Sequence, residues 1–154
     1  PIAPISYVRT RGPKYKNPLI QKYTPEGRAR IHENLAFDTR MLHALLRQEV
    51  HSQSAAYADN RLSLFCAQYG KCAVTGQIFE TLGDIHCHYK LPQAMGGNDN
   101  YQNLILVQES VHILIHATSE PTIAKYLSQL ALTKKQLAKL NKLRKEAGNS
   151  PISA

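Results

Sequence analysis

Residues 84–118 read Asp84-Ile-His86-Cys-His88-Tyr89-Lys90-Leu-Pro92-Gln-Ala-Met-Gly96-Gly97-Asn-Asp-Asn-Tyr-Gln-Asn103-Leu104-Ile-Leu-Val107-Gln-Glu109-Ser-Val-His112-Ile-Leu-Ile-His116-Ala-Thr118. The first seven residues predict a strand, on which Asp84, His86 and His88 alternate onto one face. After Pro92 comes a polar, glycine-rich loop, then an apolar run from Leu104 to Val107. A helix is expected over about 109–117. It carries His112 and His116 four residues apart, so both imidazoles lie on one face, about one turn from each other. That is how a helix presents two ligands to one metal ion. A histidine pair at this spacing is by itself only surface decoration or the border of a core, since Val111, Ile113, Leu114 and Ile115 interleave with it. A third histidine, His88, makes it a site: a strand–loop–helix path can bring it opposite the helical pair. Three imidazoles leave open positions for water and a phosphate oxygen, as a catalytic site requires. Asp84 and His86 read equally as a carboxylate and imidazole supporting that site or as a solvated strand face.

Outward from this stretch, Cys72–Gly76 and Asp84–Lys90 look like two short strands joined by a turn around Thr81–Gly83. Before them, a helix is expected over about 25–34, with Thr24 as cap and Pro25 and Glu26 in its first turn. Asp38 caps a second helix with Met41, Leu42, Leu45 and Leu46 inward. A third spans about Asp59 to Tyr69, burying Leu62, Leu64, Phe65 and Cys66 and ending at Gly70. In the tail, Ser119 or Thr122 caps a helix with Ile123, Tyr126, Leu127 and Leu130 inward. Thr133 caps another with Leu137, Leu140 and Leu143 inward. The fold class expected is α+β: mostly helical, with a small core of β-hairpin, loop and helix. The expected division is a basic N-terminal extension (1–58), the core (59–118) and basic C-terminal helices (119–154).

The 154 residues carry 19 Lys+Arg against 11 Asp+Glu, a formal charge of +8 that points to a polyanionic partner. Arg9, Arg11, Lys14 and Lys16 belong to a proline-rich basic arm. Lys134, Lys135, Lys139, Lys142, Arg144 and Lys145 make the last helix basic. Both segments, with Lys90, read as contacts to nucleic-acid phosphates, which position a duplex without reading its sequence. No apolar run approaches 18 residues and no signal-peptide pattern opens the chain, so no membrane partner is expected. The opening Pro-Ile-Ala-Pro, without an initiator Met, suggests a processed chain or a piece of something longer. Three cysteines, with no C-x-x-C pair, argue against a disulfide framework or a Cys-rich zinc site and fit a reducing compartment. Cys72 and Cys87 read as small packing residues facing across the hairpin.

The string His88-x-x-x-Pro92, Gly96-Gly97, Asn103-Leu104, His112-x-x-x-His116 resembles the HNH (ββα-metal) nuclease motif, over roughly residues 68–118. More narrowly, Gln68-Tyr-Gly-Lys-Cys72-Ala-Val-Thr-Gly76, His86-Cys-His88 and Leu114-Ile-His-Ala-Thr118 resemble the C-terminal endonuclease domain of bacterial group II intron-encoded reverse transcriptase/maturases. The resemblance implies that His88, His112 and His116 are metal ligands. It also implies that Asn103 ties the loop to the strand, that Pro92 sets the bend leaving it, and that Gly96 and Gly97 turn where a Cβ clashes. The cofactor implied is one divalent ion, Mg²⁺ or Mn²⁺, with Zn²⁺ or Ni²⁺ as alternatives. The implied partners are DNA, intron RNA and a preceding reverse transcriptase portion, in a bacterial cytoplasm near the nucleoid.

Tyr89 departs from the family, which usually carries a general-base histidine there. A tyrosine titrates near about 10 and a histidine near about 6.5, so neutral Tyr89 is a poor base at pH 7. A metal or Lys90 could lower its pKa to give a phenolate base or nucleophile. His86 could substitute for it, or the module could only bind. The function expected is thus a metal-dependent DNA endonuclease that nicks one strand in group II intron mobility. The alternatives are a catalytically impaired nucleic-acid-binding module and a structural zinc domain serving protein interaction.

Overall fold

A computed structural model describes residues 23–33, 37–48 and 54–153, without the side chains of 31 and 32. Arg9, Arg11, Lys14 and Lys16 lie outside the described residues. The chain divides into two compact units, Pro1–Ala36 and Phe37–Ala154. The boundary thus falls after Ala36 and not after residue 58, because the two helices that follow pack with the core.

The first unit contains helix α1, Pro25–Glu33. Thr24 starts it: its hydroxyl accepts the Gly27 N–H at 3.1 Å. Glu26 sits in the first turn, where a carboxylate meets the positive end of the helix dipole.

The second unit is α+β and mostly helical. Helix α2, Thr39–Arg47, is capped by Asp38, whose carboxylate accepts the Arg40 N–H at 2.8 Å. Helix α3, Ala55–Ala67, begins earlier than Asp59 because Ser54 supplies the cap, accepting the Tyr57 N–H at 3.1 Å. It buries Tyr57, Arg61, Leu64 and Phe65. Leu62 and Cys66, expected inside, are only half-buried. At Gly70 the chain turns with φ +63°, and an added Cβ would stand 3.1 Å from the Phe65 ring. Glycine satisfies both constraints.

Strand β1, His86–Tyr89, pairs antiparallel with β2, Leu104–Val107, in the register His86↔Val107 to Tyr89↔Leu104. The expected partner, Cys72–Gly76, is not a strand. It closes on itself: Gly76 N–H donates to Cys72 O, and Cys72 N–H to Gln77 O, both at 2.8 Å. The apolar run Leu104–Val107 takes its place because Leu104, Leu106 and Val107 are almost wholly buried. The outer edge of β2 is satisfied by a side chain. Gln68 Oε1 accepts the Leu106 N–H at 3.0 Å, and Gln68 Nε2 donates to Leu106 O at 2.9 Å. Ala73 N–H donates to the same carbonyl at 3.1 Å. Cys72 is buried and Cys87 lies on β1 opposite Leu106, so the two do not face each other across a hairpin.

Helix α4, Glu109–His116, follows β2 after one residue and buries Val111, Leu114 and Ile115. Helix α5, Glu120–Leu130, is capped at Ser119, and α6, Lys134–Glu146, by a Thr133–Gln136 capping box. Both pack on α4. Arg144 is not part of a basic outer face. It is 3% exposed, and its guanidinium donates to the carbonyls of Leu114, Ala117 (2.9 Å) and Ser150 (2.8 Å). Asn149 Nδ2 donates to Ile115 O at 2.8 Å. Together they close the C-terminal end of α4, whose last carbonyls have no partner within the helix. That clamp fixes the helix that carries His112 and His116. Among the described residues, no helix is long and apolar enough to cross a membrane.

Candidate metal centre

His88 comes from β1, and His112 and His116 from α4. One nitrogen from each of the three rings lies within 4.8 Å of the others. The ring centroids stand 5.4 Å (His88–His112), 5.1 Å (His88–His116) and 4.9 Å (His112–His116) apart, with the planes steeply inclined. The rings border an open cavity of about 160 Å³, whose other walls are Cys87, Tyr89, Pro92 and Gln93. His88 is 2% exposed, and its Nε2 is buried with no hydrogen-bond partner among the described residues. A buried polar nitrogen left unpaired costs about 1–3 kcal/mol, so it calls for a ligand.

Electrostatics keep the rings in the ligand-competent form. Burial, reinforced by His112 and His116, pushes His88 down to about 3. Burial, with His116 and His86 adding, pushes His112 down to about 4. His116 is lowered by burial and by the Arg144 guanidinium. All three are therefore neutral at pH 7, with nitrogen lone pairs free to coordinate. An orphaned buried nitrogen within a neutral imidazole triad fits a divalent ion.

The loop between β1 and β2 is braced as a unit. Asn103 Oδ1 accepts the Leu91 N–H at 2.9 Å, and its Nδ2 donates to Leu91 O (3.1 Å) and Asn98 O (2.9 Å). Asn103 thus ties loop to strand and stands apart from the cavity wall. Pro92 leads into a short 3₁₀ turn, Gln93–Met95, which ends at Gly96 with φ 92°. At Gly97 a Cβ would stand 1.8 Å from Leu91 O, so only glycine fits there. Lys90 Nζ donates to Gln102 O at 2.6 Å.

Two expectations are corrected. Asp84 does not support an imidazole: it sits in a 3₁₀ turn, Leu82–Asp84, and its carboxylate accepts the Thr81 N–H (3.2 Å) and hydroxyl (2.9 Å). Nor is Tyr89 poised as a phenolate. Its hydroxyl donates to Asp99 Oδ1 at 2.9 Å and accepts from Gln93 Nε2 at 3.1 Å. Burial and the Asp99 carboxylate raise its pKa above the usual tyrosine value. Its ring stacks on Tyr57 at 5.8 Å. His86 lies beside the triad, stacked on His112 at 5.1 Å.

Asp99 is the site residue that sequence reasoning missed. Ser54, Tyr89 and Gln93 all donate to its carboxylate, and the first two bonds chiefly hold its pKa down. Asn60 Nδ2 donates to its carbonyl at 2.8 Å. Its place in the Gly96–Asn100 loop marked it as polar, but nothing in the spacing tied it to Tyr89 or to the start of α3. Cys87, on the cavity wall, has its thiol pushed up to about 11 by burial. No protein-family model, curated protein or solved structure matches this chain.

Proposed function

We propose that the chain is a metal-dependent DNA endonuclease module of the HNH type that nicks one strand. The observation that carries this reading is the meeting of His88, His112 and His116, with the orphaned His88 Nε2, at the wall of an open cavity. These three residues would hold one divalent ion. When bound, the ion supplies positive charge that polarises a phosphodiester and stabilises the departing 3′ oxygen. An all-imidazole set is better matched to Zn²⁺ or Ni²⁺ than to Mg²⁺ or Mn²⁺, which favour oxygen ligands. The protein's own part is to hold the three rings neutral and fixed. β1 and the Arg144-clamped α4 set their positions, and Asn103 and Gly97 set the loop beside them. A role in group II intron mobility, with intron RNA and a reverse transcriptase portion as partners, rests on the resemblance alone.

Tyr89 favours a second reading, a nucleic-acid-binding module that cleaves poorly. A phenol already donating to a carboxylate has no basic lone pair to take a proton from water at pH 7. Relaxation of supercoiled plasmid with Mg²⁺, Mn²⁺, Zn²⁺ or Ni²⁺ separates the two. Restoring a base in Tyr89→His is expected to raise nicking by roughly 10²- to 10⁴-fold, and adding His112→Ala to abolish it. If folded Tyr89→His nicks with none of the four ions, the endonuclease reading falls and the binding module stands.

A further inference from the structure

Three lysines from two separate parts of the chain line a second cavity. Lys90 follows β1, and Lys139 and Lys142 lie one turn apart on α6. All three line a groove of about 450 Å³. Lys134 and Lys135, on the same helix, are exposed and do not line it. Neutral carbonyls steady two of the ammonium groups: Lys90 Nζ donates to Gln102 O at 2.6 Å and Lys139 Nζ to Ala73 O at 3.3 Å. An ammonium has three N–H donors, so each keeps capacity for a ligand. None of the three is ion-paired among the described residues. Glu146 is the one acid on the wall. Its Oε2 is buried without a hydrogen-bond partner, so it is not neutralising a lysine through that atom.

The groove shares a sheet face with the metal centre. Ile105, on its wall, is the cross-strand partner of His88, and opposed residues point to the same side. Lys90 N–H donates to Asn103 O at 2.8 Å, which continues the ladder past Tyr89. Alternation then puts Lys90 on the side of His88, about 7 Å along the strand. We infer that this groove is a backbone subsite for duplex DNA, in which Lys90, Lys139 and Lys142 contact phosphates flanking the one presented to the histidine triad. The inference rests on the proposed nuclease reading and adds where the strand runs. The apolar wall residues suit deoxyribose, which has no 2′-hydroxyl to satisfy.

The test is the salt dependence of binding to a short DNA duplex, measured by fluorescence anisotropy for the full chain. Lys139→Gln/Lys142→Gln is expected to lower the slope of log K against log[salt] by about 2, because each phosphate contact contributes about 0.9. Lys71→Gln/Lys125→Gln, at exposed lysines outside the groove, removes the same charge and is expected to leave the slope unchanged. Glu146→Gln is expected to tighten binding roughly two- to fivefold by removing a repulsive charge, a gain that misfolding cannot imitate. Equal falls from both lysine pairs, or no change from any variant, overturn the subsite. Tighter binding to an RNA duplex of equal length overturns its assignment to DNA. Metal uptake by the histidines and nicking by Tyr89→His report on the parent reading separately. Their absence, with the slope change intact, sinks the nuclease and spares the groove.

Discussion

Lowering the pH from 7 to 5 is expected to destabilise the metal-free protein through His88 above all. In the fold this ring titrates at about 3, against about 6.5 for an unperturbed histidine. The folded pKa is depressed. The stability it contributes is therefore present above about 6.5 and is lost as pH falls towards 3, because the unfolded chain takes up the proton first. Between pH 7 and pH 5, one imidazole that stays neutral when folded and titrates normally when unfolded costs about 2 kcal/mol. His112, at about 4, behaves alike but is less buried, so the pair is expected to contribute about 3 kcal/mol. For a domain of this size that corresponds to a Tm lower by roughly 6–12 °C. The assay is urea or thermal unfolding in chelator at both pH values, for wild type and His88→Leu. Carboxylates add their own pH dependence, but they are common to both proteins. The difference between them should shrink by about 2 kcal/mol at pH 5 relative to pH 7. An identical pH response in the two proteins would refute the claim that His88 is held neutral by burial.

Gly97→Ala should cost about 3 kcal/mol or more, because its Cβ would meet Leu91 O at 1.8 Å and disturb the Asn103 brace. Gly96→Ala meets no atom within 4 Å and should cost only about 1 kcal/mol, from its positive φ. Urea midpoints for the pair measure the contrast, and equal losses would mean the brace is not as described. Arg144→Met should destabilise by roughly 3 kcal/mol, since it strips charged donors from the carbonyls of Leu114, Ala117 and Ser150. A loss below about 0.5 kcal/mol, within the range of a surface change, would contradict the clamp.

Local chemistry made much of this architecture legible. Asp38 and Thr133 announced their helices by capping chemistry, and His112 and His116 fell on one face by helical period alone. The strand pairing was not legible. Cys72–Gly76 and Leu104–Val107 are both short apolar runs, and alternation within a strand does not say which run lies alongside. Burial of Leu104, Leu106 and Val107 decided it, and the Gln68 amide then occupied the edge that a third strand would have filled. Asp84 misled because period-2 alternation was extended two residues too far back, into a 3₁₀ turn. Arg144 misled because a charge in a lysine-rich helix reads as solvated, whereas two of its three carbonyl partners lie 27 and 30 residues away in sequence. The Tyr89–Asp99 bond spans only 10 residues, but it depends on how Gly96 and Gly97 turn the loop.

X-ray absorption of the chain with one equivalent of Zn²⁺, beside calorimetric titration of wild type, His88→Ala and His112→Ala, addresses the three-ring centre most directly. The expected result is one ion per chain with three imidazole nitrogens at about 2.0–2.1 Å, and at least tenfold weaker binding in each variant. Uptake that neither substitution weakens, or a spectrum without imidazole scattering, would contradict it.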